Sequence, residues 1–112
     1  MNIKGILVKA GEMPAVVEFN ESLEALQQFV GGYIEMIQLT DDEDVDIVIN
    51  EEGKLYGLPV NKYVIHEGRI IDALMGDLII VGANPQTGET VSVPESKIGR
   101  FMDLFSKQFI EI

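Results

Sequence analysis

A twelve-residue run rich in turn-forming residues, Asn50 to Asn61 (NEEGKLYGLPVN), constrains the fold of this chain more than any other segment. It holds two Gly, one Pro and two Asn, and it follows directly after the apolar, β-branched run Val45 to Ile49. Gly reaches backbone angles that other residues avoid, Pro fixes φ, and Asn tolerates left-handed conformations. The run therefore predicts a strand that ends in one defined connection rather than in a flexible loop.

The polar and aromatic side chains of this connection are the candidate binding residues. Loops held by a rigid scaffold often carry function, and amides, carboxylates and an aromatic ring can hydrogen-bond a polar ligand or a partner's backbone. Lys54 can contact an anion, although Glu51 and Glu52 beside it favour a charge at a hairpin tip. The predicted binding residues are Asn50, Glu51, Glu52, Lys54, Tyr56 and Asn61.

A structural interpretation of the same loop stays open. In this interpretation Asn50 and Asn61 cap the loop, and the side chains of Leu55, Tyr56 and Leu58 pin it to the core. Both interpretations explain why these residue types occur together, so the sequence does not choose between them.

Alternating or β-branched apolar patterns predict six strands. Gly11 and Pro14 mark a turn within a first hairpin, and Asn84 to Gly88 mark the turn of a last one. The predicted strands are Ile3 to Lys9, Ala15 to Phe19, Tyr33 to Leu39, Val45 to Ile49, Asp77 to Ala83 and Glu89 to Val93.

Two amphipathic helices are predicted by apolar residues at helical spacing. The first follows Asn20 or Ser22 as N-cap and ends at Gly31-Gly32. The second opens at Pro94, and its apolar stripe should dock on the sheet. The segment Lys62 to Gly76 predicts a short helical turn around Ile70 to Met75. The stripe of the second helix consists of Ile98, Phe101, Met102 and Phe105.

These elements predict one domain, residues 1–112, of the α+β class. Strands and helices do not alternate as in βαβ units, and no internal repeat is present. The simplest packing is a mixed or mostly antiparallel sheet of about five to six strands with the two main helices packed on one face.

Four blocks of the chain resemble a known family. These blocks are Gly31 to Glu35, Asn50 to Leu55, Gly57 to Asn61 and Asp77 to Gly82, and their order and spacing are similar to those of domain of unknown function 3846. The resemblance covers nearly the whole chain. It implies a short bacterial or phage protein, of a kind frequently encoded on phages, plasmids and other mobile elements, and it supplies no catalytic residue.

Charge and composition exclude several classes of function. The 19 acidic and 8 basic residues give a net charge of −11, which repels nucleic acid and anionic membranes. No apolar run approaches the length of a membrane span, and the N-terminus alternates like a strand rather than a leader. Together with zero Cys, these features lead us to expect a cytoplasmic protein that binds neither membrane nor nucleic acid directly.

No catalytic, metal or cofactor constellation is recognisable. The acidic run Asp41 to Asp46 lacks the Gly and Glu that a calcium loop needs, so a solvated turn is the favoured interpretation. The single histidine, His66, has no second histidine at metalloprotease spacing and is expected on the surface. No serine lies in a nucleophile-elbow motif, and Gly31-Gly32 fits a helix stop better than a phosphate loop. We therefore expect no enzyme, no cofactor and no metal.

Two classes of function remain. The first is an acidic protein–protein interaction module, an accessory protein of a phage or mobile element that acts on a host protein, since charge complementarity accelerates such encounters. The alternative is a small-molecule binding module whose site lies beside the Asn50 to Asn61 loop. Charge favours the first class, and the chemistry of the loop favours the second. The sequence does not predict an oligomeric state.

Overall fold

A computed structural model describes residues 1–112 as nine strands and two helices. The helices are α1 (Leu23–Val30) and α2 (Glu95–Leu104). The strands are β1 (Asn2–Val8), β2 (Ala15–Asn20), β3 (Ile34–Ile37), β4 (Val45–Asn50), β5 (Val60–His66), β6 (Arg69–Met75), β7 (Leu78–Ala83), β8 (Thr90–Val91) and β9 (Phe109–Glu111).

The main sheet has six strands, all paired antiparallel. Its order is β2-β1-β7-β4-β3, and β8 pairs with β7. All six residues of β7 are buried, as expected for an apolar strand covered on both faces. The α+β class, the mostly antiparallel sheet and the six predicted strands are therefore confirmed.

The two helices lie on opposite faces of the main sheet. Because successive side chains of a strand point to opposite faces, β7 contributes to two separate cores. Ile79 packs with Leu26 of α1, whereas Ile80 packs with Phe101 and Phe105 of α2. The expectation that both helices pack on one face was wrong, because a strand that is apolar at every position must be covered on both sides.

A second sheet, not expected from the sequence, has the order β6-β5-β9. It covers the same face as α2, through Val64, Leu74 and Ile110. The predicted helical turn at Ile70 to Met75 was wrong, because this segment is strand β6. Between β5 and β6, Glu67 and Gly68 both have positive φ (49° and 77°), the backbone conformation of a tight two-residue hairpin turn.

The predicted ends of α1 are confirmed in the structure, and α2 begins one residue later than predicted. Ser22 caps α1 through its hydroxyl, which accepts from the Ala25 amide at 3.0 Å, and Gly31 ends the helix with φ of 78°. Pro94 is the residue before α2, and Phe101 and Phe105 are fully buried. Neither helix is long and apolar enough to cross a membrane.

Candidate functional site

The largest cavity lies between the C-terminal end of α1 and the first half of the Asn50 to Asn61 loop. It is an open groove with a volume of about 420 Å³. Two exposed tyrosine side chains border it, and for this reason we call it the tyrosine groove. Its lining residues are Gln27, Gly31, Gly32, Tyr33, Asn50, Glu52 and Tyr56.

Asn50, the last residue of β4, joins the two walls of the groove. Its Nδ2 donates to the carbonyl of Val30, the last residue of α1, at 3.1 Å. Its Oδ1 accepts from the Glu52 amide at 2.8 Å. Both bonds come from one buried amide side chain, so Asn50 fixes the loop to the end of the helix.

Gly32 permits this arrangement because it has no side chain. A Cβ at this position would lie 2.9 Å from Nδ2 of Asn50, closer than real Cβ contacts come. The Asn50 amide is held by two hydrogen bonds and cannot move away without breaking them. A glycine is therefore required at the floor of the groove by close packing rather than by backbone angle.

The tyrosines are held by their backbones and leave their rings accessible. The Glu51 amide donates to the Tyr33 carbonyl at 2.9 Å, and the Tyr56 amide donates to the Glu52 carbonyl at 3.0 Å. Both tyrosine residues are 66% exposed. The structural interpretation in which Tyr56 and Leu55 pin the loop to the core is wrong, because Leu55 is 77% exposed. Only Leu58 is half-buried, and it packs against Gly76.

The other predicted binding residues lie outside the tyrosine groove. Asn61 is buried, and its Nδ2 donates to the carbonyls of Val8 and Gly76 at 2.8 and 2.9 Å. Lys54 forms an ion pair with Asp72 of β6. Glu51 and Lys54 line a smaller cavity of about 200 Å³ between the loop and β6.

The structure thus brings Asn50, Glu52 and Tyr56 together in the tyrosine groove. Glu51 and Lys54 line the smaller cavity, to which Asn50 also contributes, and Asn61 lines neither. Sequence reasoning missed Gln27, Gly31, Gly32 and Tyr33 as lining residues. A signal for them was present, because the block Gly31 to Glu35 belongs to the same family pattern as the loop. It was interpreted only as a helix stop, which Gly31 also is.

The acidic run Asp41 to Asp46 is a structural junction in the folded chain. Asp42 is paired with Arg100 and Lys97 of α2, and Lys97 also contacts Asp44. The Arg100 guanidinium, with Thr40 and Lys97, holds the pKa of the Asp42 carboxyl far below its usual range. The interpretation as a solvated turn was wrong for Asp42, whose side chain is only 13% exposed.

The structure contains no cluster of three or more metal-ligating side chains. His66 is exposed, as expected, and its Nδ1 lies 2.8 Å from the carbonyl oxygen of Ile112.

Fold and groove together define a small α+β domain whose largest cavity is built in part by the loop and has a polar and aromatic lining. The family model for the domain of unknown function DUF3846 matches residues 3–106, so the chain belongs to this family. This confirms the resemblance of the four sequence blocks. No curated protein and no solved structure matches the chain.

Proposed function

We propose that this protein is a non-enzymatic binding module of the cytoplasm whose site is the tyrosine groove. The observation that carries the proposal is the position of Asn50, which uses its whole side chain to hold Glu52 and the Tyr56-bearing turn against the end of α1. A groove built from two separate segments of the chain, with aromatic rings left exposed at its edge, suits reversible recognition of a small ligand.

The lining favours binding over chemistry. It offers one carboxylate, two side-chain amides and two phenols, but no pair of groups in which a base activates a nucleophile. The volume of about 420 Å³ is in the range of small-molecule sites. The polar groups would fix the orientation of the ligand, and the tyrosine rings would supply most of the buried contact area.

A thermal-shift screen of polar metabolites tests this proposal. A ligand that binds only the folded state stabilises it by about 2.7 kcal/mol at a hundredfold excess over Kd. We expect at least one compound to give a saturable shift that Tyr56→Ala abolishes. Leu55→Ala is the matched control, because Leu55 is the adjacent exposed residue of the same loop and does not line the groove. Shifts that respond equally to both variants would contradict the proposal.

A second candidate function, an acidic interaction module that a phage or mobile element directs at a host protein, is favoured by the distribution of charge. Five of the eight cations form ion pairs with carboxylates of the same chain. Three have no carboxylate contact: Lys62 is buried, which lowers the pKa of its ammonium group, and Lys9 and Arg69 are exposed. The paired cations are Lys4, Lys54, Lys97, Arg100 and Lys107.

The surface that a partner meets therefore carries more unpaired carboxylates than unpaired cations, in line with the net charge of −11. Such a surface would attract a basic protein at a rate that falls with ionic strength. Capture of partners from host lysate at low and high salt tests this second function. A specific basic protein that is retained at low salt, released at high salt and unaffected by Tyr56→Ala would favour it over ligand binding in the groove.

A further inference from the structure

The only charge among the side chains that line the tyrosine groove is negative. Its only acidic side chain is Glu52, and its lining includes no Lys, Arg or His. The nearest cation along the chain, Lys54, is committed to Asp72 on β6. A ligand that carries phosphate or carboxylate would find no counter-charge there and would face the net charge of −11 on the whole protein.

The end of α1 adds to this negative character. The last turn of α1 contains no basic residue. The Gln27 carbonyl accepts from the amides of Gly31 and Gly32 at 2.8 and 3.1 Å, so these glycine amides are not free to bind an anion. The carbonyl end of a helix carries a partial negative charge that favours cations. The groove therefore combines a carboxylate with the negative end of a helix.

The tyrosine rings have unoccupied faces. Neither Tyr33 nor Tyr56 stacks on another aromatic ring, and neither is covered by a cation of the chain. The face of an aromatic ring attracts a cation, because the ring carries partial negative charge on its face. Sites that bind ammonium or guanidinium groups commonly place exposed aromatic faces beside a carboxylate.

We propose that the tyrosine groove binds an organic cation, an ammonium or guanidinium group, between the rings of Tyr33 and Tyr56 and the carboxylate of Glu52. This inference rests on the proposed binding function of the groove and specifies its ligand class. The cation has two sources with the same chemistry: a free small molecule, or a lysine or arginine side chain of a peptide.

Calorimetric titration with charged probes and a neutral isostere tests the proposal. Choline represents the free cation, a capped glycine–lysine–glycine peptide represents the side-chain source, and 3,3-dimethylbutanol has the shape of choline without its charge. We expect one of the charged probes to bind at least tenfold more tightly than 3,3-dimethylbutanol. The better of the two charged probes identifies the source.

Matched variants locate the charge that is recognised. Glu52→Gln should weaken binding of the charged probe about three- to tenfold, because it removes the carboxylate of the groove. Glu51→Gln should change binding less than twofold, because Glu51 lies in the same turn but lines the other cavity. Tyr56→Phe should preserve binding and Tyr56→Leu should lose it, because the ring face rather than the hydroxyl is required.

The inference is overturned if neither charged probe binds more tightly than 3,3-dimethylbutanol, or if Glu52→Gln and Glu51→Gln have equal effects on binding of the charged probe. Failure of both charged probes to bind would also overturn it. If a neutral or anionic metabolite then binds in a manner that Tyr56→Ala abolishes, the binding function of the groove stands and only the ligand class is wrong. If no compound of any charge responds to Tyr56→Ala, the proposed function fails as well.

Discussion

The two buried asparagines at the ends of the Asn50 to Asn61 loop have different hydrogen-bonding roles. Asn50 uses its donor and its acceptor to join the helix end to the loop, whereas Asn61 only donates and leaves its Oδ1 without a partner. The sequence predicted both residues as members of one set of binding residues. It could not separate them, because the carbonyls that they contact, Val30, Val8 and Gly76, come from distant parts of the chain.

Replacement of Asn61 tests its structural role. Asn61→Ala removes the donor to two buried carbonyls, and we expect a loss of about 2 to 4 kcal/mol in the free energy of unfolding, since each unsatisfied buried group costs about 1–3 kcal/mol. Urea denaturation measures this loss. Asn2→Ala, at an exposed position of β1, is the control and should stay within about 0.5 kcal/mol of wild type. A variant of Asn61 that is as stable as this control would refute the assignment.

Gly32 provides a second test at the scale of the residue. Gly32→Ala places a methyl group against the Asn50 amide, so we expect it to lower both stability and ligand affinity. Gly99→Ala is the control, because a Cβ at this helical position meets no other atom within 4 Å. It should leave affinity unchanged and should stabilise α2 slightly. Unchanged affinity in Gly32→Ala would show that the groove does not depend on this contact.

At the scale of the element, the segment Lys62 to Gly76 shows where periodicity misleads. Its apolar residues Ile70, Ala73 and Leu74 fit helical spacing, yet the segment pairs as a hairpin. The deciding feature is the pair Glu67-Gly68, which reaches the positive φ of a two-residue turn. The strands and helices flanked by clear Gly and Pro signals could be predicted from the sequence. The second sheet could not, because β9 pairs with β5 only through long-range contacts.

Substitutions in this turn should move stability in opposite directions. Glu67 is the one non-glycine residue with positive φ, a conformation that Asn tolerates better. Glu67→Asn should therefore stabilise the protein by about 0.5 to 1 kcal/mol. Gly68→Ala should destabilise it, since φ at this position is 77°. Both are measured by urea denaturation, and a destabilising Glu67→Asn would contradict the turn assignment.

The ion pairs between the acidic run Asp41 to Asp46 and α2 should make the free energy of unfolding depend on pH. The pKa of Asp42 is lowered in the folded state from an ordinary value of 3.8, first by Arg100. The unfolded state therefore binds the proton more readily, and the stabilisation is complete above about pH 4 and is lost as pH falls below it. In Asp42→Asn, the free energy of unfolding should therefore fall less steeply at acidic pH than in wild type. Asp41→Asn is the control, since Asp41 is exposed and forms no ion pair. Parallel acid-unfolding curves for wild type and Asp42→Asn would contradict the account.

At the scale of the whole molecule, the site depends on the meeting of two segments that are far apart in the chain. The helix end at Gly31 and the loop after Asn50 come together because α1 packs on strands β7, β4 and β3 of the main sheet, near the point where β4 ends. Half of the predicted binding residues lie in the groove because the loop could be recognised from its composition. The residues of the other wall, at the end of α1, could be assigned to the groove only from the tertiary fold.

The most direct test of the central claim is to map where a ligand binds by two-dimensional amide NMR. The probe is the compound with the largest thermal shift, and the glycine amides report its position. We predict shifts at Gly31 and Gly32, with Gly88 and Gly99 unmoved, since these lie in a distant turn and in α2. A ligand that moves Gly88 or Gly99 while leaving Gly31 and Gly32 unchanged would contradict the assignment of the tyrosine groove as the binding site.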